Sequence, residues 1–141
     1  MAFQTSITTR FGDVDFAGGL YYPTLFHYFH MAFEEYLRSE IGVDYRMLFQ
    51  DYRIGFPLVH LDVTFHRPVH YGGTVVVELS VEKLGRTSVN WRYRMFVEGE
   101  EGKLAVDCSM VTVCMKTGTG EKLEIPPWLK EKFESLLRVS K

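Results

Sequence analysis

From residue 57 onward the chain alternates between apolar and polar positions. In LVHLDVTFH, Val59, Leu61, Val63 and Phe65 fall on one side and His60, Asp62, Thr64 and His66 on the other. That period of two belongs to a half-buried strand. Val75, Val77, Leu79 and Val81 of TVVVELSVE share a face, as do Val89, Trp91, Tyr93, Met95 and Val97 of SVNWRYRMFVE. In the last of these, Arg92 and Arg94 read as a solvated face. Lys103 to Lys116 is more apolar throughout and is expected at the centre of the sheet. An opening strand, FQTSITTRF, precedes them. The breaks are short and glycine-bearing: Gly72-Gly73, Gly85, and residues 98–103 with Gly99 and Gly102. Such breaks predict antiparallel hairpins.

Between the first strand and the others the period changes. Phe26, Phe29, Phe33 and Leu37 recur at i, i+3, i+7 and i+11, and Leu25, Ala32 and Tyr36 widen that face. This is a long, mostly buried helix. It begins near Pro23, since proline suits the first helical position, and ends at Gly42. Glu34 and Arg38 form an i, i+4 pair on its outer side. PPWLKEKFESLLRV predicts a short amphipathic helix at the end of the chain. The order of strand, long helix, four antiparallel strands and short helix gives an α+β domain, one long helix against a five-stranded antiparallel sheet.

Composition narrows the function classes. The 141 residues are 46% hydrophobic and 24% charged, with a net charge of -2. We read them as one domain, residues 1–141, without repeats, linkers or low-complexity tracts. A nucleic-acid binder would carry a basic excess, and none is present. No apolar run approaches a membrane span, and MAFQTSITTR lacks the apolar core of a signal peptide, so a cytoplasmic protein is expected. Cys108 and Cys114 lie in one strand-like run, too far apart to pair in that conformation, and read as packing residues. Aromatics reach 15%, which serves a pocket, an interface or core filling equally well.

The stretch FGDVDFAGGLYYP holds the candidate chemistry. Asp13 and Asp15 stand before Gly18 and Gly19, then Tyr21-Tyr22-Pro23 opens the helix. First-turn N–H groups are unpaired and carry partial positive charge, which stabilises an oxyanion. A nearby carboxylate can attack as a nucleophile or activate a water. The same residues also suit a solvated turn in which the aspartates form Asx turns or cap a helix.

This segment resembles the hotdog-fold acyl-CoA thioesterases, the 4-hydroxybenzoyl-CoA thioesterase group in particular. Their Asp-x-Asp-x-x-Gly turn stands here as Asp13-Val14-Asp15-Phe16-Ala17-Gly18, followed by Tyr21-Tyr22-Pro23. RIGFPLVHLDVTFHRPVHYGG and GRTSVNWRYRMF are similar to the strands that follow, so the likeness runs from about residue 4 to about residue 116. It implies a sheet wrapped around one long helix and hydrolysis of an acyl-CoA to free acid and CoA, without metal or redox cofactor. It further implies that Asp15 is the catalytic carboxylate and the Tyr22 N–H the oxyanion donor. Gly18 and Gly55 would lie against the substrate, Arg86 in the Lys83–Arg86 turn would meet the CoA phosphates, and Asp13 would be structural. Sites at subunit interfaces imply a homo-oligomer, a dimer of dimers. The chain departs from the family at Thr24, where relatives usually carry Asn. It departs again at His30, where the 4-hydroxybenzoyl enzyme has an aspartate near the substrate hydroxyl; this points away from that particular substrate.

Two other functions fit the same residues: a non-catalytic acyl-CoA or lipid-binding hotdog protein, and a thioesterase acting on acyl-carrier protein. His30 and Glu34 could also form a helical catalytic pair of the kind used by hotdog dehydratases. His66 and His70 have a ligand-like spacing, but Arg67-Pro68 between them interrupts a helix, and no metal site is expected.

Overall fold

The computed structural model describes residues 2–100 and 102–138. Glu101 of the expected 98–103 turn and Val139 of the expected last helix lie outside the described residues. The strands are β1 (Phe3–Thr8), β2 (Ile54–Gly55), β3 (Leu58–Phe65), β4 (Thr74–Leu84), β5 (Ser88–Val97), β6 (Leu104–Val113) and β7 (Met115–Lys116). The helices are α1 (Tyr22–Tyr36), which runs on through a widened turn at Leu37–Ile41, and α2 (Pro127–Glu134). The main sheet is antiparallel with order β1-β4-β5-β6-β3, and β2 pairs with β7 beside it.

The helical stripe explains the packing. Leu25, Phe29, Ala32, Phe33, Tyr36 and Leu37 are buried in the core between α1 and the sheet, with Tyr36 against Phe3 of β1 and Phe133 of α2. Phe29 stacks on Tyr93 with ring centroids 5.0 Å apart, and Phe33 meets Trp91 edge-on at 5.2 Å. Each such side chain removed from water contributes about 1.5–3 kcal/mol, so the stripe dictates which face of α1 meets the sheet. α2 closes the core from outside, with Phe133 at 4.9 Å from Trp91. The helix ends where expected: Gly42 adopts φ 81°, which lets its N–H reach back to the Leu37 carbonyl at 2.9 Å. This is the α+β hotdog arrangement.

Four sequence expectations differ from the structure. First, β3 and β4 do not form a hairpin around Gly72-Gly73. The backbone of 66–73 is engaged elsewhere: His66 and Arg67 donate to Ala105, Val69 accepts from Leu20, and Tyr71 donates to Gly18. β3 therefore crosses to the far edge beside β6. Second, β3 is not half-buried within this chain. It is an edge strand whose apolar side is only partly covered: Val63 packs against the core, while Val59 and Phe65 are 59% and 56% exposed. Third, the middle strand is β5; β6 lies one place outward. Fourth, Arg38 pairs with Glu35, while Glu34 pairs with His30 at 3.3 Å. Arg92 and Arg94 do line the outer face, where they are engaged by Asp107, Glu82 and Glu78. Cys108 and Cys114 are free and buried.

Candidate active site

The aspartate motif forms a small hairpin. The Asp15 N–H donates to Gly19 and the Tyr21 N–H to Asp13, both at 2.9 Å, with a bridge between Val14 and Leu20. A tight turn closes its tip, the Gly18 N–H meeting the Asp15 carbonyl at 2.9 Å. Gly18 sits at φ 84° with open space where a Cβ would be. Its glycine is required by the backbone angle, which other residues adopt at a cost. The loop 69–73 holds this hairpin against the sheet. Thr9 is buried, and its hydroxyl donates to the Gly73 carbonyl and accepts the Gly72 N–H, both at 2.9 Å.

The two aspartates differ. Asp13 Oδ2 accepts the Tyr28 hydroxyl at 2.6 Å and the Arg10 N–H at 3.0 Å, tying the hairpin to α1. Burial, then the Asp13 carboxylate, pushes the Tyr28 phenol far above its usual range, so it remains a donor. Asp15 is exposed, with Oδ1 held by the Ala17 N–H at 2.9 Å. Among the described residues its other oxygen has no partner. The Asx turn is therefore present, and it orients a carboxylate that still has one free oxygen.

The helix entrance supplies the donor. The N–H groups of Thr24 and Leu25 both go to the Tyr21 carbonyl, and Pro23 has none. Among the described residues the Tyr22 N–H donates to no acceptor. Asp13 stands opposite Tyr21 on the hairpin, so Asp15 lies two residues beyond that rung, about 7 Å. Asp15, Gly18 and Tyr22 thus share one end of the molecule.

Gly55 and Arg86 are at the opposite end. β3 runs from Leu58, near Gly55, to Phe65, which is level with Val77 and Thr5 across the sheet, so that Thr74 and the motif loop lie beyond its end. Its eight residues separate the two clusters by about 25 Å. Gly55 faces a groove shared with Tyr45, Phe49 and the glycine-bearing segment 117–120. Arg86 is exposed in the β4–β5 turn and reaches Glu124 at 2.6 Å. That exposed pair is worth little in water.

Sequence reasoning passed over a cavity of about 190 Å³ between α1 and the sheet. Phe26, Phe33, Phe56, Trp91 and Tyr93 form its walls, with His30 and Tyr45 stacked edge-on at its mouth. Phe26 and His30 lie one and two turns along α1 from Tyr22, about 6 and 12 Å. The aromatic excess was the available signal, but it serves a core as well as a pocket. Among the described residues no three His, Cys, Asp or Glu side chains converge as metal ligands, and no helix is long and apolar enough to cross a membrane.

Comparison with known proteins agrees with this architecture. A family model described as the thioesterase-like superfamily matches residues 9–133. A 1,4-dihydroxy-2-naphthoyl-CoA hydrolase of Crocosphaera subtropica is 28% identical over 127 residues, covering 87% of this chain and 92% of that one. The DHNA-CoA thioesterase of Staphylococcus aureus superposes with a TM-score of 0.83 at 26% identity, covering 95% of this chain and 89% of that one. A 1,4-dihydroxy-2-naphthoyl-CoA thioesterase from Synechocystis shares the fold with a TM-score of 0.85 at 22% identity, covering 96% and 98%. With the motif hairpin, the open helix entrance and the wrapped helix already in view, the chain belongs to the thioesterase-like superfamily, as a thioester hydrolase of the hotdog fold.

Proposed function

We propose that the protein hydrolyses an acyl-CoA thioester, with Asp15 as the attacking carboxylate or as the base that activates a water. The Tyr22 N–H takes the oxyanion, the C–S bond breaks, and CoA leaves as the thiol. The observation that supports this most is the pairing of a carboxylate with one free oxygen and a free first-turn amide on one rigid hairpin–helix junction. The aromatic cavity suits an aryl acyl group, in keeping with the naphthoyl-CoA substrates named for the relatives. Two free, buried thiols agree with a reducing, cytoplasmic setting. Thiol release measured across aryl-CoA, alkyl-CoA and acyl-carrier-protein thioesters tests the reading. Turnover of aryl-CoA supports it; binding without turnover would make the protein a carrier, and preference for carrier-protein esters would redirect the substrate.

The active unit we propose is a homo-oligomer built on a two-fold dimer, two of which form a tetramer. The argument is the separation of about 25 Å between Asp15 and Gly55 within one chain. Antiparallel pairing of β3 with its copy across a two-fold axis reverses the ends, so the partner's Gly55 comes beside Asp15 and Tyr22. The exposed apolar side chains and open edge of β3 favour such pairing. Arg86 stands two to three strands in from that edge, about 10–14 Å, a span for the pantetheine arm. Light scattering at micromolar concentration is expected to give at least twice the 16.4 kDa chain mass. A monomer would remove the shared site.

Arg86→Ala is expected to raise KM for acyl-CoA and change kcat less, because a phosphate contact exists in both ground and transition states. The increase shrinks as salt rises, since exposed charges are screened. A KM equal to wild type at low salt excludes Arg86 from the coenzyme site.

A further inference from the structure

The buried tyrosines of the core are satisfied with one exception. Tyr28 donates to Asp13 at 2.6 Å, and Tyr36 donates to the Lys132 carbonyl at 3.0 Å. In the cavity wall, Trp91 Nε1 donates to Thr112 Oγ1 at 2.9 Å. Tyr93 is only 4% exposed, and among the described residues its hydroxyl has no hydrogen-bond partner. Yet among those residues no fully enclosed polar side-chain atom lacks a partner. The Tyr93 oxygen must therefore touch open space, and the space that Tyr93 lines is the cavity.

The position is held firmly. Tyr93 sits in the middle strand, paired with Leu79 on one side and Cys108 on the other, and its ring rests on Phe29. Burial raises its pKa well above the phenol range, so it is a protonated donor at neutral pH. The neighbouring Cys108 thiol, pushed up to about 12 by burial, is likewise uncharged. A fixed, neutral hydroxyl in an aromatic pocket stabilises a ligand that brings a hydrogen-bonding group to it and disfavours one that leaves it unmatched.

From this we infer that Tyr93 is a specificity-determining residue, reading a ring hydroxyl on an aromatic acyl group seated among Phe26, Phe33 and Trp91. The inference rests on the thioesterase reading for its substrate class, though not for its geometry. A pocket without such a group separates ligands differing by one hydroxyl weakly, whereas one built to bond a hydroxyl rejects the analogue lacking it.

The test compares 1,4-dihydroxy-2-naphthoyl-CoA with 1-hydroxy-2-naphthoyl-CoA, which differ by one hydroxyl. Wild type is expected to favour the dihydroxy ester in kcat/KM by at least about tenfold, and Tyr93→Phe to bring that ratio towards one. A Tyr93→Phe variant of wild-type stability that keeps the preference overturns the inference. So does a wild type that shows no preference. A second readout is equilibrium binding of the two free acids, followed by Trp91 fluorescence, which needs no turnover. If neither ester is hydrolysed but the dihydroxy acid binds more tightly through Tyr93, the thioesterase reading fails and this inference stands. If both esters are hydrolysed at equal rates, the reverse holds.

Discussion

Asp15→Asn is expected to lower kcat for acyl-CoA hydrolysis by at least about a hundredfold while leaving substrate binding in place. The amide keeps the size of the carboxylate and can still accept the Ala17 N–H that orients it. It cannot attack a thioester or take a proton at neutral pH. Asp13→Asn is expected to act on a different quantity. Its carboxylate accepts from Tyr28 and Arg10 and faces no ligand, so its loss should lower thermal stability and reduce kcat far less. Thiol release at saturating substrate, measured for both variants after circular dichroism confirms the fold, separates the two roles. Turnover by Asp15→Asn at the wild-type rate would leave the motif as a turn and nothing more.

Much of this architecture was legible in local pattern. The stripe from Leu25 to Leu37 specified which face of α1 is buried, and Gly42 its end, because both are set by helical geometry alone. The period-two runs located β3, β4 and β5, and the more continuously apolar run located β6. Pairing was harder, since it depends on where a loop's backbone bonds go. Nothing in HRPVHYGG announces that its amides and carbonyls serve Ala105, Leu20 and Gly18 in place of a hairpin turn. The alternation in β3 marks an apolar side, but alternation alone does not say how much of it the chain itself covers: Val63 reaches the core, while Val59 and Phe65 are exposed. Ion pairs were the weakest inference: Glu34 has neighbours at both i-4 and i+4, and His30 takes it.

For the site, the Asp-x-Asp turn, its glycines and the helix start are contiguous in sequence, so they could be picked out together, and the structure folds them into one hairpin. The cavity did not show, because Phe33, Phe56 and Trp91 are residues that any core would use. Tyr93 could have been noticed as a hydroxyl on an otherwise apolar strand face. The distance between Asp15 and Gly55 emerged only with the strand order, and it is what turns a list of site residues into a claim about two subunits.

That claim is tested most directly by mixing inactive chains. Gly55→Val leaves the strand intact, since Gly55 has an ordinary φ and a Cβ there would meet Thr117 Cγ2 at 3.4 Å, while it fills the bare surface proposed for the thioester. Asp15→Asn and Gly55→Val homo-oligomers are each expected to be inactive. In a two-fold hybrid, one site pairs the intact Asp15 of one chain with the intact Gly55 of the other, and the second site carries both lesions. A statistical one-to-one mixture, co-refolded and assayed by thiol release, is therefore predicted to recover about a quarter of wild-type activity. Hybrids verified by mass that remain as inactive as their parents would contradict a shared site and return both residues to a single chain.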